Sequence, residues 1–178
     1  MDIREKLLPE QRFQKEAAIA IANKAASGSE TFAELMNCFL SPEYRLSQRA
    51  AWCVSFVADA HPELVKPYLN RLVKLLFRND VHPAVIRNSL RILQNVEVPE
   101  KLHGRLMQAC FTILESVASP VAIRSYAIAI LVDLSKQYSD IIPELKLLIE
   151  DKIVHEKPAF ISRAKSVLKT WEKMQQNK

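Results

Sequence analysis

Along residues 119–134, SPVAIRSYAIAILVDL, the apolar side chains return at Ile123, Ala127, Ile130, Leu131 and Leu134. Offsets of 0, 4, 7, 8 and 11 place them on one face of a helix. Leu46, Ala50, Cys53, Val54 and Val57 take the same offsets upstream, and Ile86, Leu90 and Leu93 take the first three. Downstream, Ile161, Ala164, Leu168 and Trp171 follow the pattern less strictly. Counted this way, the leading positions 46, 86, 123 and 161 lie 40, 37 and 38 residues apart, which makes the pattern a repeat.

A proline stands just ahead of each face, at Pro42, Pro83, Pro120 and Pro158, and proline suits the first helical turn because its missing N–H would be unpaired there. Between these starts run partner helices: Val65, Tyr68, Leu69, Leu72 and Leu76; then Leu102, Leu106, Cys110, Ile113 and Val117; then Ile142, Leu145, Leu148 and Ile149. Pro62, Pro99 and Pro143 each precede a glutamate, a charge that the N-terminal end of the helix dipole favours. Residues 1–40 are helical but atypical, with Phe13, Ala17, Ile21 and Ala25 followed by a Ser27-Gly28-Ser29 break. They predict an N-terminal capping pair. The organisation expected is a single repeat domain over 1–178: that cap, repeats at 41–78, 82–118 and 119–155, and a C-terminal capping helix at 157–173. The fold class is all-α, nine helices in antiparallel pairs with no strand.

A helix pair recurring about every 40 residues, none able to bury its apolar face alone, marks an α-solenoid of the HEAT or armadillo size class. The string PVAIRSYAIAILVDL resembles the first helix of a HEAT repeat: a proline, an apolar residue followed by arginine, an alanine three on, and closing leucines. Ile123-Arg124 and Ile86-Arg87 carry the arginine, whereas Leu46-Ser47 and Ile161-Ser162 lack it. The strings QRAAWCVSFVADAHPELVKPYL and LLIEDKIVHEKPAFISRAKSVL are also similar to bacterial HEAT-like repeat proteins of no established activity. The resemblance implies an α-α superhelix whose second helices line a concave face.

Two glycines in 178 residues leave little for hairpins or phosphate loops. Cys38, Cys53 and Cys110 lack paired spacing and read as small buried hydrophobes in a reducing compartment, which points to the cytoplasm. The start, MDIREKLLPEQRFQ, alternates charges and lacks the apolar core of a secretory signal. No stretch reaches the roughly 20 apolar residues of a membrane helix.

Reactive groups are scattered. No two of His61, His82, His103 and His155 lie three or four apart and none neighbours a cysteine at ligand spacing, so no metal is expected. His61 and His82 precede prolines at helix entrances, where an imidazole serves as a capping or a solvated group. Trp52 and Asp59 share a helix side, and HEAT-like DNA alkylation repair glycosylases hold damaged nucleotides with aromatic and acidic groups. The segment does not match their motif, however, and reads as a core-flanking ring and a solvated acid. Glu150, Asp151 and Glu156 read as a solvated edge. No GxSxG, HExxH, Walker A or GxGxxG string occurs. No catalytic residue and no cofactor are expected, and the chain does not read as an enzyme.

Charge changes this picture. The net +5 is uneven: residues 41–91 hold eight Lys/Arg against four Asp/Glu, and 157–178 hold six against one, while 131–156 hold three against six. Asn70, Lys74 and Arg78 recur at i, i+4 and i+8 beside Arg71. By the resemblance, these four with Arg105, Gln108 and Lys146 face one groove. Arg87 and Arg124, at one repeat slot, form a structural ladder between successive units. The function expected is a scaffold holding a protein or peptide partner on a concave helical face. The alternative is nucleic-acid binding through the basic strip.

Overall fold

The structure is a computed structural model that describes residues 2–8, 12–154 and 158–176. A short α1 (Ile3–Leu7) is capped by the Asp2 carboxylate, which accepts from the Arg4 backbone N–H at 2.8 Å. After it come α2 (Lys15–Ala25), α3 (Ser29–Phe39) and α4 (Tyr44–Ala60), the last beginning two residues after Pro42. Pro62 opens α5 (Pro62–Val65). The expected partner helix then breaks, because Pro67 has no N–H to give and its ring crowds the preceding turn. Lys66–Tyr68 tightens into a 3₁₀ turn before α6 (Leu69–Leu75) resumes.

The next start is at Pro83, the first residue of α7 (Pro83–Asn95). A 3₁₀ turn at Glu100–Leu102 leads into α8 (His103–Glu115), and Pro120 caps α9 (Val121–Leu134). A second such turn at Ser139–Ile141 leads into α10 (Ile142–Ile153), and α11 (Pro158–Gln176) opens on the fourth expected proline. Among the described residues there is no strand, and the fold is an all-α helical repeat. The nine expected helices are present, the broken α5 and α6 counting as one, and α1 is additional. His155 and Glu156 lie outside the described residues.

Burial sets the repeat register. Leu46, Ala50, Cys53, Val54 and Val57 are at most 1% exposed, as expected. In α7, Leu90 and Leu93 are buried as expected, but so are Val85, Ser89 and Ile92, and Val96 at the cap, whereas Ile86 is only half-buried. In α11 it begins at Phe160, with Ala164, Val167 and Trp171, and Ile161 is half-buried. The leading positions are therefore 46, 85, 123 and 160, spaced 39, 38 and 37 residues. The lead shifts by one in α7 and α11 because both Val85-Ile86 and Phe160-Ile161 offer two adjacent apolar residues at the helix start, and packing buries only the first of each pair fully.

This corrects the arginine ladder. In the true register Arg124 matches Ser47 and Ile86, whereas Arg87 sits one position further round α7 and is exposed. Arg124 is 6% exposed, its guanidinium carbon 5.6 Å from the centroid of the Phe160 ring. The two arginines do not share a slot.

The chain divides into two compact units, residues 1–99 and 100–178, a boundary that falls between the two helices of the repeat expected at 82–118. In the first, α4 is central, packing on α2, α3 and α7, while α6 packs on α7. Phe32, Leu35, Met36 and Phe39 of α3 fill the space beside it, each fully buried large side chain contributing about 1.5–3 kcal/mol. In the second, α9 packs on α8 and α11, and α10 on α8 and α11. Lys152 ties α10 back to α8 by donating to the Glu115 carbonyl at 3.0 Å. Cys38, Cys53 and Cys110 are free and buried, and burial pushes all three thiols up, Cys53 to about 12, so none is a thiolate at neutral pH.

Candidate functional site

Helix α6 has one buried row, Leu69, Leu72, Val73 and Leu75, and its remaining positions face solvent. Asn70, Arg71 and Lys74 are on that outer side, and among the described residues neither cation has a carboxylate partner. Arg78 does not continue the stripe. The helix ends at Leu75, and Arg78 turns to a forked pair with Asp80, its Nε donating to Asp80 Oδ1 at 2.8 Å. That hydrogen bond from Arg78 holds the Asp80 carboxyl below its ordinary range. In the other unit, Arg105 and Gln108 are exposed on α8, while Lys146 on α10 lies 3.8 Å from Glu150 one turn on. The seven expected residues thus fall into two sets, one in each unit: Asn70, Arg71, Lys74 and Arg78, and Arg105, Gln108 and Lys146.

Beside the apolar rows of α4 and α7 lie polar groups that the apolar period does not single out. Arg49 lies three residues after the leading position of α4 and Asn88 three after that of α7, and both are buried. Arg49 Nη1 donates to the Leu7 carbonyl at 2.7 Å, closing α1 onto α4, and its guanidinium carbon is 5.1 Å from the Phe13 centroid. Arg91 of α7 reaches α4 twice, donating to Ser55 Oγ at 3.1 Å and to the Asp59 carboxylate. A polar residue at one fixed offset in consecutive apolar helices was the available signal. Trp52 is half-buried, its ring edge-on to Phe13 at 6.1 Å. Asp59, expected as a solvated acid, is exposed and ion-paired with Arg91.

Between α4 and α7 these residues leave a recess of about 270 Å³ lined by Phe13, Gln48, Arg49, Trp52, Arg87 and Asn88. A neighbouring hollow beside Trp52 adds Arg12, Lys15 and Glu16. Among the described residues no three His, Cys, Asp or Glu side chains group as metal ligands, and no helix is long and apolar enough to cross a membrane.

Residues 3–171 match the HEAT repeat domain. The chain belongs to the HEAT repeat family. Comparison with curated proteins and with solved structures found no match. HEAT repeats generally mediate protein interactions and are typically non-catalytic.

One HEAT helix end carries a proton-sensitive cap. His82 Nδ1 accepts from the Ala84 backbone N–H at 2.9 Å, and its ring stands edge-on to Tyr44 at 4.1 Å. Only the neutral imidazole accepts, and burial, with a smaller push from Arg87, lowers its pKa from 6.5. The unfolded chain therefore takes up the proton first. The cap contributes fully above the unfolded value and is lost as pH falls through the lower folded value. Urea midpoints should fall more between pH 7.5 and 5 (roughly the imidazole titration range) for the native chain than for His82→Asn, which caps without titrating. Equal falls would contradict the cap's role.

Proposed function

We propose that this HEAT repeat protein is a non-catalytic scaffold that binds a protein or peptide partner on its exposed helix faces and needs no cofactor. The observation that carries this reading is the division of its repeat helices. One row is buried and mainly apolar, and the outer row in residues 1–99 carries Arg71, Lys74 and Arg87 with no carboxylate partner among the described residues. Cations held on a rigid helical frame suit an acidic partner surface, giving fast and selective encounter. The buried free cysteines suit a reducing cytoplasm, where such a partner would be met.

Nucleic acid is the second reading, favoured by the same cations and the net charge of +5. Fluorescence anisotropy with short single- and double-stranded DNA and RNA separates the two. The scaffold reading expects only weak, low-salt association that Arg71→Ala/Lys74→Ala leaves unchanged. Binding that persists at physiological salt and disappears in that variant would overturn it.

A further inference from the structure

The recess between α4 and α7 is built around Arg87, which no carboxylate of the described residues meets. Arg87 and Arg91 stand one turn apart on α7, so both present to the same side. Arg91 is met by Asp59 from α4. Gln48 and Trp52 line the recess from α4 beside Arg87, and among the described residues no carboxylate pairs with it.

The other groups in the recess carry more positive charge and one free acceptor. Arg49 lies beneath, with Arg45 close enough on the same helix to add to burial in lowering its pKa. Arg12 and Lys15 line the adjoining hollow, where Glu16 is the only acid among the described residues. Asn88 turns its amide nitrogen inward to the Ala84 carbonyl at 2.9 Å, which fixes which end of the side chain is oxygen. Among the described residues nothing donates to that oxygen. The exposed Gln48 amide lies on the α4 side.

We propose that this recess is the docking site for an acidic peptide segment of a protein partner. An aspartate or glutamate of the partner pairs with Arg87, and a flanking apolar or aromatic side chain rests against Trp52 and Phe13. The partner's carboxylate does for Arg87 what Asp59 does for Arg91. The Asn88 oxygen accepts from a backbone N–H, a donor that a peptide repeats at every residue. A DNA backbone offers only acceptors, so it would use the arginine and leave Asn88 unmet, and an RNA backbone adds only its 2′-hydroxyls as donors. That asymmetry favours a peptide. The assignment rests on the scaffold reading and adds to it a place and a partner chemistry.

The test is a titration of the whole chain with a fluorescein-labelled peptide of alternating Glu, Asp and Phe, beside a Gln/Asn/Phe control and an oligothymidylate of similar length. Arg87→Glu should weaken the acidic peptide at least about tenfold, and Gln48→Ala by a few-fold, since a charge-assisted pair outweighs a neutral bond. Arg71→Glu/Lys74→Glu should change it less than about two-fold. Arg87 and Gln48 are exposed, so both variants keep the fold, which circular dichroism verifies. Equal affinity for the Gln/Asn control, or no peptide binding, overturns the recess. Peptide binding lost in Arg71→Glu/Lys74→Glu but kept in Arg87→Glu also overturns it, while leaving the scaffold reading intact. Tighter binding of the oligothymidylate than of the peptide overturns both.

Discussion

Val85→Asp should abolish cooperative folding of residues 1–99, while Ile86→Asp should leave a folded chain with a modestly lower urea midpoint. The two positions are adjacent, lie in the first turn of α7 and receive almost the same benefit from the helix dipole, so local propensity does not separate them. Burial does. Val85 is 2% exposed at the contact of α7 with α4, and Ile86 is half-buried. A carboxylate at 85 would be desolvated at a cost of about 3–5 kcal/mol, and the valine's own burial of about 1.5–3 kcal/mol would be lost as well. That is comparable with the whole stability of a small domain. At 86 the carboxylate reaches water, and the cost is about 1 kcal/mol. Urea unfolding followed by circular dichroism decides it. Greater damage from Ile86→Asp would restore the 40- and 37-residue spacing and undo the register drawn from burial.

The second large effect is at Arg124. Arg124→Ala should lower stability by about 2–4 kcal/mol, and Lys74→Ala should leave the midpoint essentially unchanged. Arg124 is buried between α9 and α11, with its charge over the Phe160 ring. Truncation removes that contact and the packed stem together and leaves space beside Phe160. Lys74 faces solvent and makes no ion pair among the described residues. Arg124→Met separates the two contributions, because it keeps most of the volume and none of the charge. Equal midpoints for Arg124→Ala and Lys74→Ala would remove the structural role assigned to Arg124.

Much of the fold could be read from periodicity alone. Four prolines located the first helices to within two residues, and Leu46, Ala50, Cys53, Val54 and Val57 are buried as their spacing required. Three departures have simple causes. Adjacent apolar pairs at 85–86 and 160–161 hid the register, which only packing against a neighbouring helix fixes. The apolar period runs straight through Pro67, which nonetheless forces a 3₁₀ turn. Ala17 and Val117 fit the period but are exposed: α2 buries Ala18 instead, and α8 ends at Glu115, two residues before Val117.

The candidate site was harder to foresee. The basic strip around Lys74 was visible because charges at i, i+4 stand out, but Arg78 left it once the helix stopped at Leu75. The recess depends on three segments, the loop holding Phe13 and two helices 39 residues apart in register. No local window contains it. Arg87 looked like a ladder residue for the same reason that Ile86 looked buried, and moving the register by one position turned it outward.

Hydrogen exchange with and without the acidic peptide locates the bound segment without altering the protein. Docking in the recess predicts slower exchange over residues 48–56 and 83–91, with residues 69–78 unchanged. Protection over 69–78 with none at 83–91, or protection nowhere at saturating peptide, would contradict it.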